Sequence, residues 1–435
     1  MRKRKRFELD ENELPKKWCN ILPDLPRPFP PPLSPATNEP LDPKDLEVLF
    51  AKELIKQEIA KESNISIPEE IREMLKNIRP SPLIRANSLE EFLKTKVKIY
   101  YKYEGERSPT GSHKVNTAIA QAYYNAKEGT ETLTTETGAG QWGSALAYSS
   151  QLFDVNCQVM MVRASYDQKP HRRTIMELYG AEVHPSPSTI TDFGKKLLNS
   201  DPRHPGSLGI AISEAITLAL QDEKTKYSLG SVLNHVLLHQ TVIGLEAINQ
   251  FHMAENDSSG PDFVVGCVGG GSNFSGLAYP FIREKLRNGY EMQAVAAEST
   301  AASKMSDGDY RYDFGDTANM TPLLKMHTLG SDYIPPPIHA GGLRYHGVAP
   351  SLSVLINTGH VTPCKYTQQT AFKAAEIFAK NEGIISAPES AHAIAAVIDI
   401  AREHKDEELT IIFNLSGHGL LDLLGYQRYI ANELE

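Results

Sequence analysis

A short apolar or β-branched run, a glycine-bearing loop and a helical stretch follow one another repeatedly along this chain, and that order restricts the fold more than any other feature of the sequence. The unit appears as "ETLTT" (131–135), then "ETGAGQWG" and a helix expected from Ser144. It returns as "CQVMMVR" (157–163) before "HRRTIMELYGA", and as "DFVVGCV" (262–268) before "GGGSN" and a helix through Leu286. Further strands are expected at "MQAVAAE" (292–298) and "ELTIIFN" (408–414). Strands alternating with helices at this spacing form parallel sheets flanked by helices, an α/β fold. Ligands then bind at the carboxyl ends of the strands, where these glycine loops lie. With 435 residues, a prior of about 150 residues per domain gives roughly two or three domains.

The rest of the chain is organised around that core. Residues 22–40, "LPDLPRPFPPPLSPATNEP", are so rich in proline that they run extended, as an arm over a neighbouring surface or as a linker. The globular part is expected to start near Leu41, with 43–62 as one amphipathic helix. Ser88 with Glu91 reads as a capping box for a helix through Leu93, and "VKIYYKYE" (97–104) reads as a strand. A net charge of −9 argues against nucleic-acid binding, and the basic opening "MRKRKR" is too short and too soon followed by acidic residues to reverse that. Cys19, Cys157, Cys267 and Cys364 form no CxxC pair. Neither a disulfide framework nor a zinc site is signalled, and a reducing cytoplasm fits. No stretch reaches the ~18 consecutive apolar residues of a membrane span.

"GSHKVNTAIAQAYY" (111–124) places Val115, Ala118, Ile119 and Ala122 on one helical face, with Gly111-Ser112 as turn and N-cap. Lys114 therefore stands at a helix N-terminus, where the dipole opposes a cation and lowers an amine's pKa. It is either an activated amine or a surface lysine. "VGCVGGGSNFSG" (265–276) outlines a phosphate cradle at a helix N-terminus. A dinucleotide fingerprint is the competing reading, with Glu298 as ribose-binding acid, but Phe274 stands where its third glycine belongs. A plain tight turn is another reading. The amides of "ETGAGQWGS" (136–144) suit a carboxylate, and Glu136 at the strand end is either a general acid-base group or a glutamate facing water. In "NLSGHG" (414–419), Ser416 is a neutral donor or a local cap. His235 and His239 have the i, i+4 spacing of metal ligands, but without a glutamate between them or a third ligand they read as structural; no metal site is expected.

Taken together, "HKVN" (113–116), "ETGAGQ" (136–141), "GGGSN" (269–273), "PES-AHA" (388–393) and "NLSGHG" (414–419) resemble the tryptophan synthase beta chains, within the fold-type II pyridoxal-phosphate enzymes. The likeness covers about residues 75–425 and is nearest to the second, longer class, with its N-terminal extension and "GGLRYHG" (341–347). It implies a two-domain enzyme with the active site between the domains. Residues 1–45 would be an extension, 46–240 the domain with the Schiff-base lysine (80–112 crossing to the other domain), and 241–435 the domain with the phosphate loop. By resemblance, Lys114 carries pyridoxal 5′-phosphate; His113, Gly269, Gly270, Gly271, Ser272 and Asn273 bind its phosphate; Glu389 lies near it; and Ser416 faces the pyridine nitrogen. Thr137, Gly138, Ala139, Gly140 and Gln141 would hold the amino-acid carboxylate.

The implied reaction is β-replacement, L-serine plus indole giving L-tryptophan and water. Lys114 would move the Cα proton, while Glu136 protonates the leaving hydroxyl and steers the indole N–H. The resemblance also implies a homodimer, leaves room for an alpha-chain partner and a monovalent cation, and does not bring in nucleic acid or a membrane. A serine or O-phosphoserine β-eliminase, or a non-catalytic subunit that holds indole or an alpha chain, is the alternative. Two positions depart from the ordinary pattern: Trp142 replaces a histidine, and Arg344 replaces an aspartate that closes over the donor. A guanidinium there would suit O-phosphoserine as donor, or would simply pair with a nearby carboxylate to hold the loop.

Overall fold

The computed structural model describes residues 5–256 and 259–434, and in it the repeated strand, loop and helix units build two sheets. The smaller sheet has four parallel strands in the order Glu182–Ser186, Asn156–Val162, Thr132–Thr137 and Thr225–Ser228. The larger has seven, in the order Arg6–Phe7, Leu83–Arg85, Lys98–Tyr103, Thr410–Leu415, Phe263–Cys267, Gln293–Ser299 and Thr362–Tyr366. Its last five strands are parallel and its first two antiparallel. The strand Phe263–Cys267, in the middle of the five parallel strands, is buried along its whole length, as a strand covered by helices on both faces must be. The hairpin Asp309–Phe314 with Leu323–Thr328 was not anticipated from sequence.

Helix ends differ from the local reading. Residues 43–62 form a short 3-10 turn, Pro43–Leu46, and a separate helix, Lys52–Glu58. The first amides of that helix donate to the Glu128 carboxylate at 2.8 and 3.1 Å. Ser88 and Glu91 do not form a capping box; the Ser88 and Leu89 amides both donate to Glu382 at 3.1 Å, from 294 and 293 residues away. The helix expected from Ser144 begins at Gln141, after Gly140 at φ +90°, a conformation that favours glycine. Ser112 does not cap the helix Val115–Lys127; its hydroxyl is buried without a hydrogen-bond partner among the described residues.

The amino-terminal residues are part of the body of the protein rather than an appendage before Leu41. Arg6–Phe7 pairs with Leu83–Ile84, and Lys17–Cys19 pairs with Asn64–Ser66. Trp18, 1% exposed, lies with its ring centroid 4.6 Å from that of His239. The proline arm is laid over the surface as expected: Leu33 exchanges main-chain hydrogen bonds with Leu323 at 2.9 and 3.0 Å. Of the basic opening, residues 1–4 lie outside the described residues; Lys5 pairs with Glu382 and Arg6 with Glu8 and Glu106.

Candidate active site

The carboxyl ends of the strands Thr132–Thr137 and Thr225–Ser228 meet the amino ends of the helices Val115–Lys127, Gln141–Gln151 and Ser272–Asn288 around one cavity. Lys114 reaches into it from the residue before its helix. Its Nζ donates to the Gly230 carbonyl at 2.5 Å and to Ser272 Oγ at 2.8 Å. Burial lowers the Lys114 pKa to about 8, against the opposing pull of Glu136. Desolvation is the largest of the causes that act on it.

Glu136, at the end of its strand, also lines the cavity. Burial raises its carboxyl to about 7, although the Tyr227 hydroxyl donates to Oε2 at 2.5 Å and favours the ionised form. Thr137 does not face a ligand with its side chain, because Oγ1 accepts from the Gly140 and Gly143 amides and so folds the 138–140 turn. Gly138 packs so close to Gly341 that a Cβ would lie 2.9 Å from its carbonyl oxygen. Ala139 and Gln141 line the cavity, and Gln141 Nε2 donates to Glu389 at 3.3 Å. The other Glu389 oxygen accepts from the Gly342 amide at 2.8 Å, tying the 138–141 and 341–347 loops together.

The 269–273 loop closes the opposite side. Gly271, at φ +123°, precedes the helix, and the Ser272 amide donates to Ser231 Oγ at 3.1 Å. His113 Nε2 lies 3.3 Å from Ser272 Oγ; burial pushes the His113 pKa down to about 3, so the ring is neutral. The Asn273 side chain is turned inward, donating to the Cys267 carbonyl at 3.0 Å and accepting from Asn414 at 2.7 Å, which leaves only its main chain for a ligand. Ser416 Oγ lies 2.6 Å from Ser390 Oγ.

Two residues that depart from the ordinary pattern are placed differently from each other. Trp142 lines the cavity, donates to Thr135 Oγ1 at 2.6 Å and packs on Gly230, where a Cβ would lie 2.5 Å from its ring. Arg344 is not among the cavity's lining residues; its guanidinium donates to Ser165 Oγ at 2.6 Å, with no carboxylate within 4.0 Å among the described residues. The remaining alternatives also resolve locally. Glu298 accepts the Met305 and Ser306 amides at 2.9 and 2.8 Å. His235 bonds to Glu58, and His239 sits between Thr117 and Gln57.

Sequence reasoning missed Tyr227, Gly230, Ser231 and the apolar wall formed by Leu49, Phe50, Ile212, Leu324 and Tyr345. "TKYSLGS" (225–231) carries the same strand-then-glycine order as the other loops and was the available signal. The wall comes from segments far apart in the chain and has none.

These residues fit pyridoxal phosphate. A buried amine of lowered pKa suits its aldehyde, the first amides of the helix Ser272–Asn288 suit its phosphate, and the Ser416 hydroxyl suits its ring nitrogen. A Cβ at Gly270 would lie 2.6 Å from Ser231 Oγ, so this position of the loop has no room for a side chain.

A family described as "Pyridoxal-phosphate dependent enzyme" matches residues 74–417. The chain is 60% identical over 430 residues to a protein of Pyrococcus furiosus named "Tryptophan synthase beta chain 2", covering 98% of this chain and 95% of that one. It is 59% identical to the protein of that name from Aeropyrum pernix, covering 99% and 96%, and 57% identical to that from Methanosarcina mazei, covering 98% and 96%. Among solved structures, an L-serine ammonia-lyase of Rhizomucor miehei is similar in fold, with a TM-score of 0.59 at 14% identity, over 81% of this chain and 98% of that one.

Proposed function

Because this chain belongs to the pyridoxal-phosphate dependent enzymes and, within them, to the tryptophan synthase beta chains, we propose that it joins L-serine to indole, giving L-tryptophan and water. The observation that carries the reading is that a lysine amine and a protonatable carboxyl, Lys114 and Glu136, border one cavity whose far wall is apolar. When bound, pyridoxal phosphate supplies an electron sink that acidifies the serine Cα–H and lets the β-hydroxyl leave.

Lys114 would hold the cofactor and would move the Cα proton; a pKa near 8 leaves a useful fraction of free amine at neutral pH. Glu136, with its carboxyl near 7, can deliver a proton to the departing hydroxyl and afterwards accept the indole N–H as a carboxylate. Tyr227 holds it in place for both tasks. The amides at the start of the helix Gln141–Gln151, in the cavity that Glu136 also lines, would receive the serine carboxylate. Ser416, being neutral, does not force the ring nitrogen to stay protonated, which moderates the electron sink and favours loss of a β-substituent over transamination. Leu49, Phe50, Ile212 and Tyr345 receive the indole ring and exclude water. The placement of Arg344 against Ser165 favours serine over O-phosphoserine as donor.

This reading divides the chain into a domain over 46–240 and one over 241–435, with 80–112 crossing over, as the pairing of Lys98–Tyr103 with Thr410–Leu415 supports. It carries with it a cytoplasmic homodimer and an alpha-chain partner; all four cysteines are free, and no helix among the described residues is long and apolar enough to cross a membrane. Chromatographic product analysis with cofactor tests the reaction: serine plus indole should yield tryptophan, and serine alone little pyruvate. Pyruvate as the main product with indole present would make the chain a β-eliminase, and a higher rate with O-phosphoserine than with serine would reverse the donor assignment.

A further inference from the structure

Under the 269–273 loop lies a lysine that the proposed reaction does not use. Lys304 is fully buried, and a buried ammonium is unfavourable unless something coordinates it. Its Nζ donates to the Val268 carbonyl at 3.0 Å. The nearest carboxylate, Glu298, is 4.0 Å away and is already engaged with the Met305 and Ser306 amides, closing the turn that carries Lys304. The ammonium is therefore seated mainly on a main-chain carbonyl. Burial lowers its pKa to about 8 against the opposing pull of Glu298, which leaves most of it charged at neutral pH.

Val268 immediately precedes the loop. In a trans peptide the carbonyl of one residue and the N–H of the next point in opposite directions. Holding the Val268 carbonyl toward Lys304 therefore turns the Gly269 N–H the other way. The Gly270 carbonyl is held in the same manner by the Ala349 amide at 2.9 Å, which turns the Gly271 N–H. The turn has little room to relax, since a Cβ on Gly269 would meet the Gly342 carbonyl at 2.1 Å.

We propose that Lys304 acts as a tethered monovalent cation for the phosphate loop: its ammonium, by coordinating the Val268 carbonyl, aims the loop amides, and no diffusible alkali ion is required at this point. The inference rests on the reading of 269–273 as the cofactor's phosphate loop. An ammonium group and an alkali ion carry the same single charge and both coordinate carbonyl oxygens. The lysine occupies the coordination a free ion would need, and it makes Lys304 a positioning residue rather than a catalytic one.

The test is a pyridoxal-phosphate titration followed by absorbance, in buffer whose only cation is tetramethylammonium and then with K⁺, Na⁺ or Cs⁺ added. The native chain should bind the cofactor with a dissociation constant that changes by less than about twofold between these buffers. Lys304→Met should bind about tenfold more weakly in tetramethylammonium, the effect of losing one charge-assisted hydrogen bond, and should recover on adding K⁺. Should Lys304→Met not fold, Lys304→Gln keeps a donor while removing the charge and should show the same weakening and recovery. Alkali-ion dependence of about tenfold or more in the native chain would overturn the proposal, as would native-strength binding by a neutral variant in tetramethylammonium. Ion-independent binding without tryptophan formation would count against the reaction assigned above and in favour of the role of Lys304. Absence of cofactor binding under every condition would overturn both.

Discussion

Glu136 shows how a single side chain here is set against stability for the sake of chemistry. Its carboxyl is raised from 4.5 to about 7, so the folded chain binds this proton more tightly than the unfolded chain does. The resulting stabilisation is complete below about 4.5 and is lost as pH rises through about 7, a change on the order of 3 kcal/mol. Glu136→Gln removes that loss. Thermal unfolding should therefore show the variant gaining stability relative to the native chain at pH 8, with the gain absent at pH 5. Lys114, lowered to about 8, begins to lose its proton at pH 8 in both proteins, so its own titration largely cancels in the difference between them. The same variant should retain cofactor binding and form tryptophan about 10²–10⁴-fold more slowly, as measured by product formation at saturating serine and indole. A rate within a few fold of native would remove Glu136 from the proton transfers.

Among the elements, three short helices are started by carboxylates that belong to other parts of the chain. Glu128 receives the first amides of Lys52–Glu58, Glu382 those of Asn87–Leu93, and Glu58 those of Asn234–Gln240. A carboxylate at a helix N-terminus satisfies orphan N–H groups and meets the positive end of the dipole, whichever segment supplies it. The apparent capping box at Ser88 and Glu91 is therefore not what starts its helix. Ser88→Ala should change the denaturant midpoint little, whereas Glu382→Gln, which also abandons Lys5, should destabilise by about 1 kcal/mol. Equal effects of the two substitutions would restore the local cap.

At the scale of the whole molecule, one buried carboxylate joins parts of the two sheets. Asp422, beyond the end of Thr410–Leu415, receives Lys169 at 2.5 Å and Arg172 at 3.3 Å from the region of the helix Pro170–Leu178. Those cations also donate to the His339 carbonyl at 3.0 Å and the Thr110 carbonyl at 3.3 Å. Both cations hold the Asp422 carboxyl below its usual range against the cost of burial. Asp422→Asn leaves two buried cations without a counter-charge and should cost about 3–5 kcal/mol, read from the unfolding midpoint. Trp18→Ala belongs to the same scale: a buried ring from the first twenty residues is removed, and a loss of about 3–5 kcal/mol is expected. A loss below about 1 kcal/mol would mean that the amino-terminal segment is an appendage after all.

The strand and glycine-loop grammar by itself determined the parallel sheets, the position of Lys114 before its helix, Glu136 at a strand end and the 269–273 turn, because these depend on period, turn chemistry and neighbours within a few residues. Tertiary structure alone decided which groups face them. Tyr227, Gly230 and the apolar wall reach the cavity from separate segments, Arg344 is drawn to Ser165, and Trp18 is buried despite preceding a proline-rich arm. Long-range pairing, desolvation and capping by distant carboxylates arise only when the chain is closed on itself, so a local pattern carries no trace of them.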